Sequence, residues 1–569
     1  MSLRGKTRMH GGFRGRALAL ATAGLCFAAA CGGNNNTGGG ATPASPDKQV
    51  LNVNIDTEPS TLDPTQEQWV YEADAGRNMY EALTRAKADN SDVVGAAAES
   101  WTISTDGLTW TFKLRSDGKY SDGHPVVAGD FVASYKRILD PTIAAPYADP
   151  FFDGTIAGGQ NYANVDAKQP QAVKQFLDGL GVSAPDAHTF IIKIQQPAPW
   201  FKWVTSLWMA SPIEASDLAA GGSSFGTVSA DAPTKIHGNG PFKLSEIVPK
   251  DHITLVPNTF YRTQPKLQKV NLLEITDANV EFAKFQNGEL DITRGVPPLD
   301  VAQVNSDPKL SKEVVKGPSL LTWWIDFNTT KAPFNNADLR MAFSKSLDRA
   351  SYVHNILKDI GTPINSMIPK GMNEYEASTI QGYDCTAAKA SLAKAKAGGV
   401  TDAQLAAIHY EYANSSTRKT SSEFFQQQWQ SCLGINVTLD AIDSQTHSHH
   451  LRTLNYQIGG VSGWQADYPD GQDWFDIFIT GSGNQFSGWS NKQYDAAVQK
   501  GDTAPKAADR LTAYSQAQKI LEQDAPVMFL FQNEKFFLMS SKVQGANIHP
   551  LDDDWAGDIS SVTSMYISA

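Results

Sequence analysis

Residues able to do chemistry are few in this sequence, and most are badly spaced for it. Gly222-Ser223-Ser224-Phe225-Gly226 satisfies G-x-S-x-G, the pattern of a nucleophile elbow. An elbow needs a buried strand before its serine and a helix after it, whereas Asp217-Leu218-Ala219-Ala220-Gly221 precedes and a polar loop follows. No G-x-x-x-x-G-K-S/T loop, H-E-x-x-H or zinc-spaced cysteine pair occurs. His447, His449 and His450 crowd beside Asp443 at a spacing open to transition-metal ligation, but no other ligand set accompanies them, so a solvated loop or helix start is expected. Asp552, Asp553 and Asp554 lack the spaced pattern of a calcium loop and read as a solvated tail. The expectation is a protein that is not an enzyme and has no catalytic residue, metal or cofactor. What the chain has in quantity is aromatics beside turn formers: Pro199-Trp200-Phe201, Trp323-Trp324, Gly463-Trp464 and Gly488-Trp489. Such a set suits apolar walls around an organic solute.

The elements that must position these residues begin after an unusual N-terminus. Arg4, Lys6, Arg8, Arg14 and Arg16 precede an apolar run of 14 residues, Ala17 to Ala30, and no acid appears before Asp47. This is the layout of a secretory signal peptide over residues 1–30, too short for the roughly 20 residues of a bilayer-spanning helix. Ala28-Ala29-Ala30-Cys31 resembles a bacterial lipobox, with Ala28 where Leu is usual; an A-x-A cleavage site that abuts a cysteine is the alternative. Gly, Asn, Thr, Ala, Ser and Pro dominate the following stretch to Pro46, so residues 31–47 are expected to be a flexible tether from a lipid-anchored Cys31. The chain carries 48 Lys and Arg against 60 Asp and Glu, a net −12, and loss of the five leader cations makes it −17. Nucleic acid is thereby excluded as an expected partner. With Cys26 removed and Cys31 acylated, Cys385 and Cys432 remain in an oxidising compartment and are expected to pair.

Strand and helix signals alternate irregularly, which gives a mixed α/β class. Trp110, Phe112 and Leu114 alternate with polar residues, as do Phe190, Ile192 and Ile194, and both stretches predict half-buried strands. Leu339, Ala342, Phe343 and Leu347 fall at helical spacing behind Asn335 and Asn336, which supply a cap. Leu511, Tyr514 and Leu521 repeat that spacing before Pro526.

Several blocks together resemble the oligopeptide- and dipeptide-binding proteins of ABC importers, solute-binding protein family 5. They include Glu58-Pro59-Ser60-Thr61-Leu62-Asp63-Pro64, Asn78-Met79-Tyr80-Glu81-Ala82-Leu83 and, most specific, Tyr120-Ser121-Asp122-Gly123-His124-Pro125-Val126-Val127-Ala128-Gly129-Asp130-Phe131. Gly238-Asn239-Gly240-Pro241-Phe242, Asn287-Gly288-Glu289-Leu290-Asp291-Ile292 and Gly463-Trp464-Gln465-Ala466-Asp467-Tyr468-Pro469-Asp470 follow in family order.

The resemblance implies a class II periplasmic-binding-protein-like fold, two lobes joined by a two-strand hinge, with an extra subdomain. Lobe I is expected over 48–94, 233–318 and 530–569, the extra subdomain over 95–232, and lobe II over 319–529. It further implies that Asp467 meets the α-ammonium of a bound peptide, with Trp464 beside it and the backbones of Gly463 and Gln465 pairing with the extended ligand. Glu67, Gln68 and Trp69 are expected at the opposite edge. The implied role is capture of a small peptide by hinge closure and delivery to ABC permease subunits driven by separate ATPase chains, from a monomer anchored on the outer face of the cytoplasmic membrane. A nickel complex, oligosaccharide or opine as ligand, or a surface signalling or chaperone role, are the alternatives.

Overall fold

A computed structural model of the chain describes residues 41–569 apart from 69, 88, 149–151, 153, 298–299, 549–550 and 552–561. The leader, Cys31, Trp69 and the Asp552 to Asp554 run lie outside the described residues. Residues 41–47, expected to belong to a flexible tether, are paired with the C-terminal end of the chain. The Ala44 N–H donates to the Ile567 carbonyl at 2.8 Å, the Ala569 N–H to Thr42 at 2.9 Å, and the Gln49 amide to the Ala44 and Ile567 carbonyls at 2.9 Å each. Backbone pairing with the C-terminus, which composition does not register, holds residues 41–47.

Three sheets carry the fold. The first runs in the order Val50–Asn54, Lys269–Leu273, His252–Pro257, Phe242–Val248, with a parallel first pair and antiparallel neighbours beyond it. Leu51, Val53, Ile253, Leu255, Val270 and Leu272 share one buried cluster on it. The second is wholly antiparallel, in the order Ala98–Ile103, Thr109–Leu114, Thr189–Lys193, Val182–Asp186. Trp110, Phe112, Leu114, Phe190 and Ile192 all point inward from it, as the alternation requires, onto Phe131, Tyr135 and Ile138 of the helix Ala128–Ile138.

The third sheet has six strands, in the order Thr362–Pro363, Val527–Leu538, Val314–Phe327, Ile458–Gln465, His409–Ala413, Thr438–Ile442. Val314–Phe327 and Val527–Leu538 pair antiparallel from Val314 opposite Leu538 to Asp326 opposite Val527. Their outer ends bury Phe537 with the first sheet's core and Leu538 with Phe282, Phe285 and Leu290, while Ile325, Phe327, Met528 and Leu530 sit in a separate cluster. Two strands thus tie one lobe to the other in a two-lobed periplasmic-binding-protein fold. Their register breaks between Pro318 and Thr322, and the Gln532 amide fills the break by donating to the Ser319 carbonyl at 2.9 Å.

The helix Ala337–Lys345 starts where its cap predicts: Asn336 Oδ1 accepts the Leu339 N–H at 3.1 Å. In the helix Ala507–Asp524, Tyr514 and Leu521 are buried but Leu511 is 39% exposed, so the expected apolar stripe covers only part of that helix. Gly222–Ser224 is a short 3-10 turn behind the helix Ala215–Gly221, without the strand that a nucleophile elbow requires.

Candidate functional site

The cleft of interest is walled by three segments together with Leu551. The helix Val70–Met79 and the chain after it supply Arg77, Tyr80 and Glu81; a turn-rich stretch supplies Trp203 and Trp208; and the end of the strand Ile458–Gln465 supplies Ala466, Asp467 and Tyr468. The cavity measures about 120 Å³. Aromatic contacts close its sides. The Arg77 guanidinium carbon lies 5.0 Å from the Trp208 ring centre, Tyr147 meets Trp208 edge-on at 5.6 Å, and Tyr468 stacks on Trp200.

Asp467 keeps partial exposure at this cleft. Burial pushes its carboxyl up to about 7, against the pull of the Arg77 guanidinium and a hydrogen bond from the Tyr147 hydroxyl. Asp473 lies behind it, buried, and its Oδ2 accepts the Asp467 backbone N–H at 3.0 Å and the Trp464 indole N–H at 3.3 Å. Burial and then the Asp467 charge drive the Asp473 carboxyl well above the ordinary range. Acids recur at Asp467, Asp470, Asp473 and Asp476, and only Asp470 among them is paired to an arginine, with both oxygens on Arg510 at 2.9 and 2.5 Å, among the described ion pairs. The arrangement concentrates carboxylates at the Asp467 end of the cleft, opposite the Arg77 guanidinium.

Gly463, Trp464 and Gln465 lie on the strand leading to Asp467 and pair with Trp323, Thr322 and Leu321 along one edge. The opposite edge pairs with His409–Ala413 only at Ile458, so among the described strands nothing pairs with it from Val461 to Gln465. A side chain at Gly463 would meet the Trp323 ring at 2.7 Å and the Thr322 carbonyl at 2.9 Å, which is why the position has none. The Gln465 amide donates to the Leu551 carbonyl at 2.9 Å.

The residues expected at the opposite edge are placed differently. The Glu67 carboxylate is buried within the lobe against Gly76 rather than facing the cleft, and its burial together with Glu72, Asp63 and Asp74 pushes its carboxyl well up. Only its carbonyl approaches the cleft wall, accepting the Trp208 indole N–H at 3.4 Å. Gln68 is exposed and its backbone N–H donates to Glu72 at 2.7 Å. Residues that sequence spacing missed are Arg77, Tyr147, Trp208 and Asp473. Trp208 and Asp473 carried a weak signal in their dense aromatic and acidic surroundings; Arg77, one residue before the Asn78 to Leu83 block, carried none.

Away from the cleft, Cys385 and Cys432 form a disulfide with Cα atoms 5.7 Å apart, joining the start of the helix Cys385–Ala397 to the end of Ser416–Leu433. His447 and His450 both face Glu411, at 3.0 and 2.8 Å, while His449 only neighbours the His450 ring. The three histidines therefore do not converge on one point.

Residues 92–486 match the family model for bacterial extracellular solute-binding proteins, family 5 Middle. The oligopeptide-binding protein OppA of Bacillus subtilis is 30% identical over 89% of this chain and 90% of its own length. The probable deoxycholate-binding periplasmic protein YgiS of Escherichia coli is 28% identical over 90% of this chain and 93% of its own. The structure of Haemophilus influenzae OppA in complex with RPPGFSPFR superposes with a TM-score of 0.75, at 26% identity, covering 92% of this chain and 99% of that one. With a match spanning most of the sequence and a shared fold, this chain belongs to the family 5 bacterial extracellular solute-binding proteins.

Proposed function

We propose that this protein captures peptides by their main chain and N-terminal ammonium and delivers them to an ABC permease. The observation that carries the reading is the junction of Asp467 with the unpaired strand edge Val461 to Gln465. An extended peptide laid along that edge gains main-chain hydrogen bonds without regard to its side chains, and its ammonium reaches the Asp467 carboxylate, whose charge burial makes costly and a neighbouring cation offsets. Contacts from the Trp203 to Trp208 side and from Asp467 are made together only when the lobes are closed, so the ligand favours closure by differential affinity. In this reading lobe I comprises 48–94, 233–318 and 530–569, the extra subdomain 95–232 and lobe II 319–529. Export by residues 1–30 and acylation at Cys31 would keep a monomeric receptor near its permease on the outer face of the membrane.

Calorimetry with a short peptide and its N-acetylated form tests the proposal. Loss of affinity on acetylation, and in Asp467→Asn for the free amine, is the expected result. Equal affinity for both forms would move the ligand class to one without an amine.

A further inference from the structure

The most specific sequence block, around Tyr120 to Phe131, holds a second chemical feature away from Asp467. We infer that Glu214, flanked by His124 with Asp122 on one side and His237 with Asp217 on the other, forms a binding site for a divalent transition-metal ion such as zinc. The five residues make two overlapping three-residue groups that share Glu214, and within each group the donor atoms all lie within 4.8 Å of one another.

Hydrogen bonding alone leaves this cluster unsatisfied. The Glu214 side chain is 7% exposed, and its Oε2 has no hydrogen-bond partner; the ion-pair contact described for it is His237 Nδ1 at 3.8 Å. That nitrogen already lies 2.9 Å from Asp217 Oδ1. His124 Nδ1 lies 2.7 Å from both Asp122 Oδ2 and Glu214 Oε1, and one imidazole nitrogen has a single proton at most. Three carboxylates meet here, and among the described ion pairs their partners are histidines only. A divalent cation satisfies the buried oxygen, the doubly contacted nitrogen and the excess negative charge together.

The carboxylates are also oriented from behind, as metal ligands usually are. Asp122 Oδ1 accepts the His124 N–H at 3.0 Å, Asp217 Oδ2 accepts the His237 N–H at 2.8 Å, and Glu214 Oε1 accepts the Ser216 hydroxyl at 2.6 Å. Asp122 and Asp217 each have one oxygen held locally and the other on a histidine, while Glu214 Oε1 meets both Ser216 and His124 and leaves Oε2 without a hydrogen bond. Mixed imidazole and carboxylate donors suit zinc, nickel or cobalt better than calcium or magnesium. Zinc bonds of about 2.0–2.2 Å place neighbouring donors about 3.3 Å apart, so the 2.7 Å contacts must widen by a few tenths of an ångström. His124, with its side chain 66% exposed, has room to make that adjustment.

The ligands come from three separate chain segments: the turn Tyr120 to Pro125, the start of the helix Ala215–Gly221, and the strand entry at His237. The Ser121 N–H already donates to the Gly238 carbonyl at 2.9 Å between the first and last of them. A bound ion would add a second, stronger tie at the same junction. Sequence spacing concealed the site because no two histidines fall within one motif.

Zinc titration of the metal-stripped, full-length protein by calorimetry, with cobalt absorption as a spectroscopic readout, decides the matter. The expected result is saturable zinc binding that raises Tm, weakened at least about tenfold in His124→Ala, His237→Ala and Glu214→Gln and unchanged in His450→Ala. His124→Ala removes an exposed imidazole without opening the core, so it carries the test if Glu214→Gln does not fold. Wild-type zinc affinity in both histidine variants, loss of binding in His450→Ala, or no saturable binding in the wild type would overturn the site.

Discussion

Tyr468 stacks on Trp200 with ring centroids 6.4 Å apart and ring planes 3° from parallel. Tyr468 follows Asp467 directly, and Trp200 stands at the head of the helix Phe201–Val204, so the stack joins Asp467's own loop to the wall that faces it. An aromatic pair of this kind is worth about 0.5–1.5 kcal/mol beyond its buried area, up to about tenfold in an equilibrium. Trp200→Leu should shift the ligand-free protein toward the open form and weaken peptide affinity by up to about that factor. Small-angle scattering would show a larger radius of gyration without ligand and recovery of the compact form at saturating peptide.

Peptide affinity should depend on pH through Asp467. Its carboxyl is pushed up to about 7, and only the ionised form attracts an ammonium. Below that pH a proton must leave on binding, so affinity should fall by as much as about tenfold per unit as pH drops from 7 to 5. Calorimetry in buffers of different ionisation enthalpy should record the released proton. Asp467→Asn should flatten the profile and abolish the release.

Arg77 pulls the Asp467 carboxyl down, so its removal should move that profile upward. Arg77→Gln is expected to shift the midpoint of peptide binding to higher pH, with weaker binding at pH 7 that recovers by pH 8.5 to 9. An unshifted midpoint would separate Arg77 from the titration of Asp467.

Asp326 lies buried on one of the two crossing strands, its Oδ2 without a hydrogen-bond partner, and burial pushes its carboxyl up to about 7. The folded state therefore binds this proton more tightly than the unfolded chain, whose carboxyl sits near 3.8. The resulting stability is complete below about pH 4 and is lost as pH rises through about 7. Asp326→Asn should remove that dependence and raise stability at pH 8 by a few kcal/mol, at about 1.4 kcal/mol per pH unit. Urea midpoints at pH 5 and pH 8 give the answer.

The disulfide closes a loop of 47 residues between two helices far from Asp467 in sequence. On the chain-entropy model, Cys385→Ser with Cys432→Ser should lower stability by up to about 4 kcal/mol. Peptide affinity of the folded fraction should be unchanged, because neither cysteine lines the cleft.

What could be read in the sequence followed the physics of local pattern. Trp110 and Phe112 announced their strand by alternation and Asn336 its helix by capping, while of the Gly463 to Asp470 block, marked by resemblance, Ala466, Asp467 and Tyr468 line the cavity. Arg77 and Tyr147 could not be read, because what brings them to Asp467 is the packing of distant segments. Glu67 shows the opposite case: its position beside the cleft was inferred, yet its side chain turns into the lobe where Gly76 leaves it room. Residues 41–47 illustrate a third limit, since a sequence poor in apolar side chains can still be ordered through its backbone.

The break in register between Pro318 and Thr322 leaves the two crossing strands without ladder pairs over Ser319 to Leu321. On either side of it the crossing strands remain hydrogen-bonded to each other, which resists shear and stretching, and Gln532 bridges the gap from its side chain. A second shift follows between Trp323 and Trp324, so the crossing strands lose regular pairing at two places close together. On the proposed capture by lobe closure, bending at these breaks would couple every contact in the cleft to one angular coordinate, so that a solute touching both walls would set the angle between the lobes.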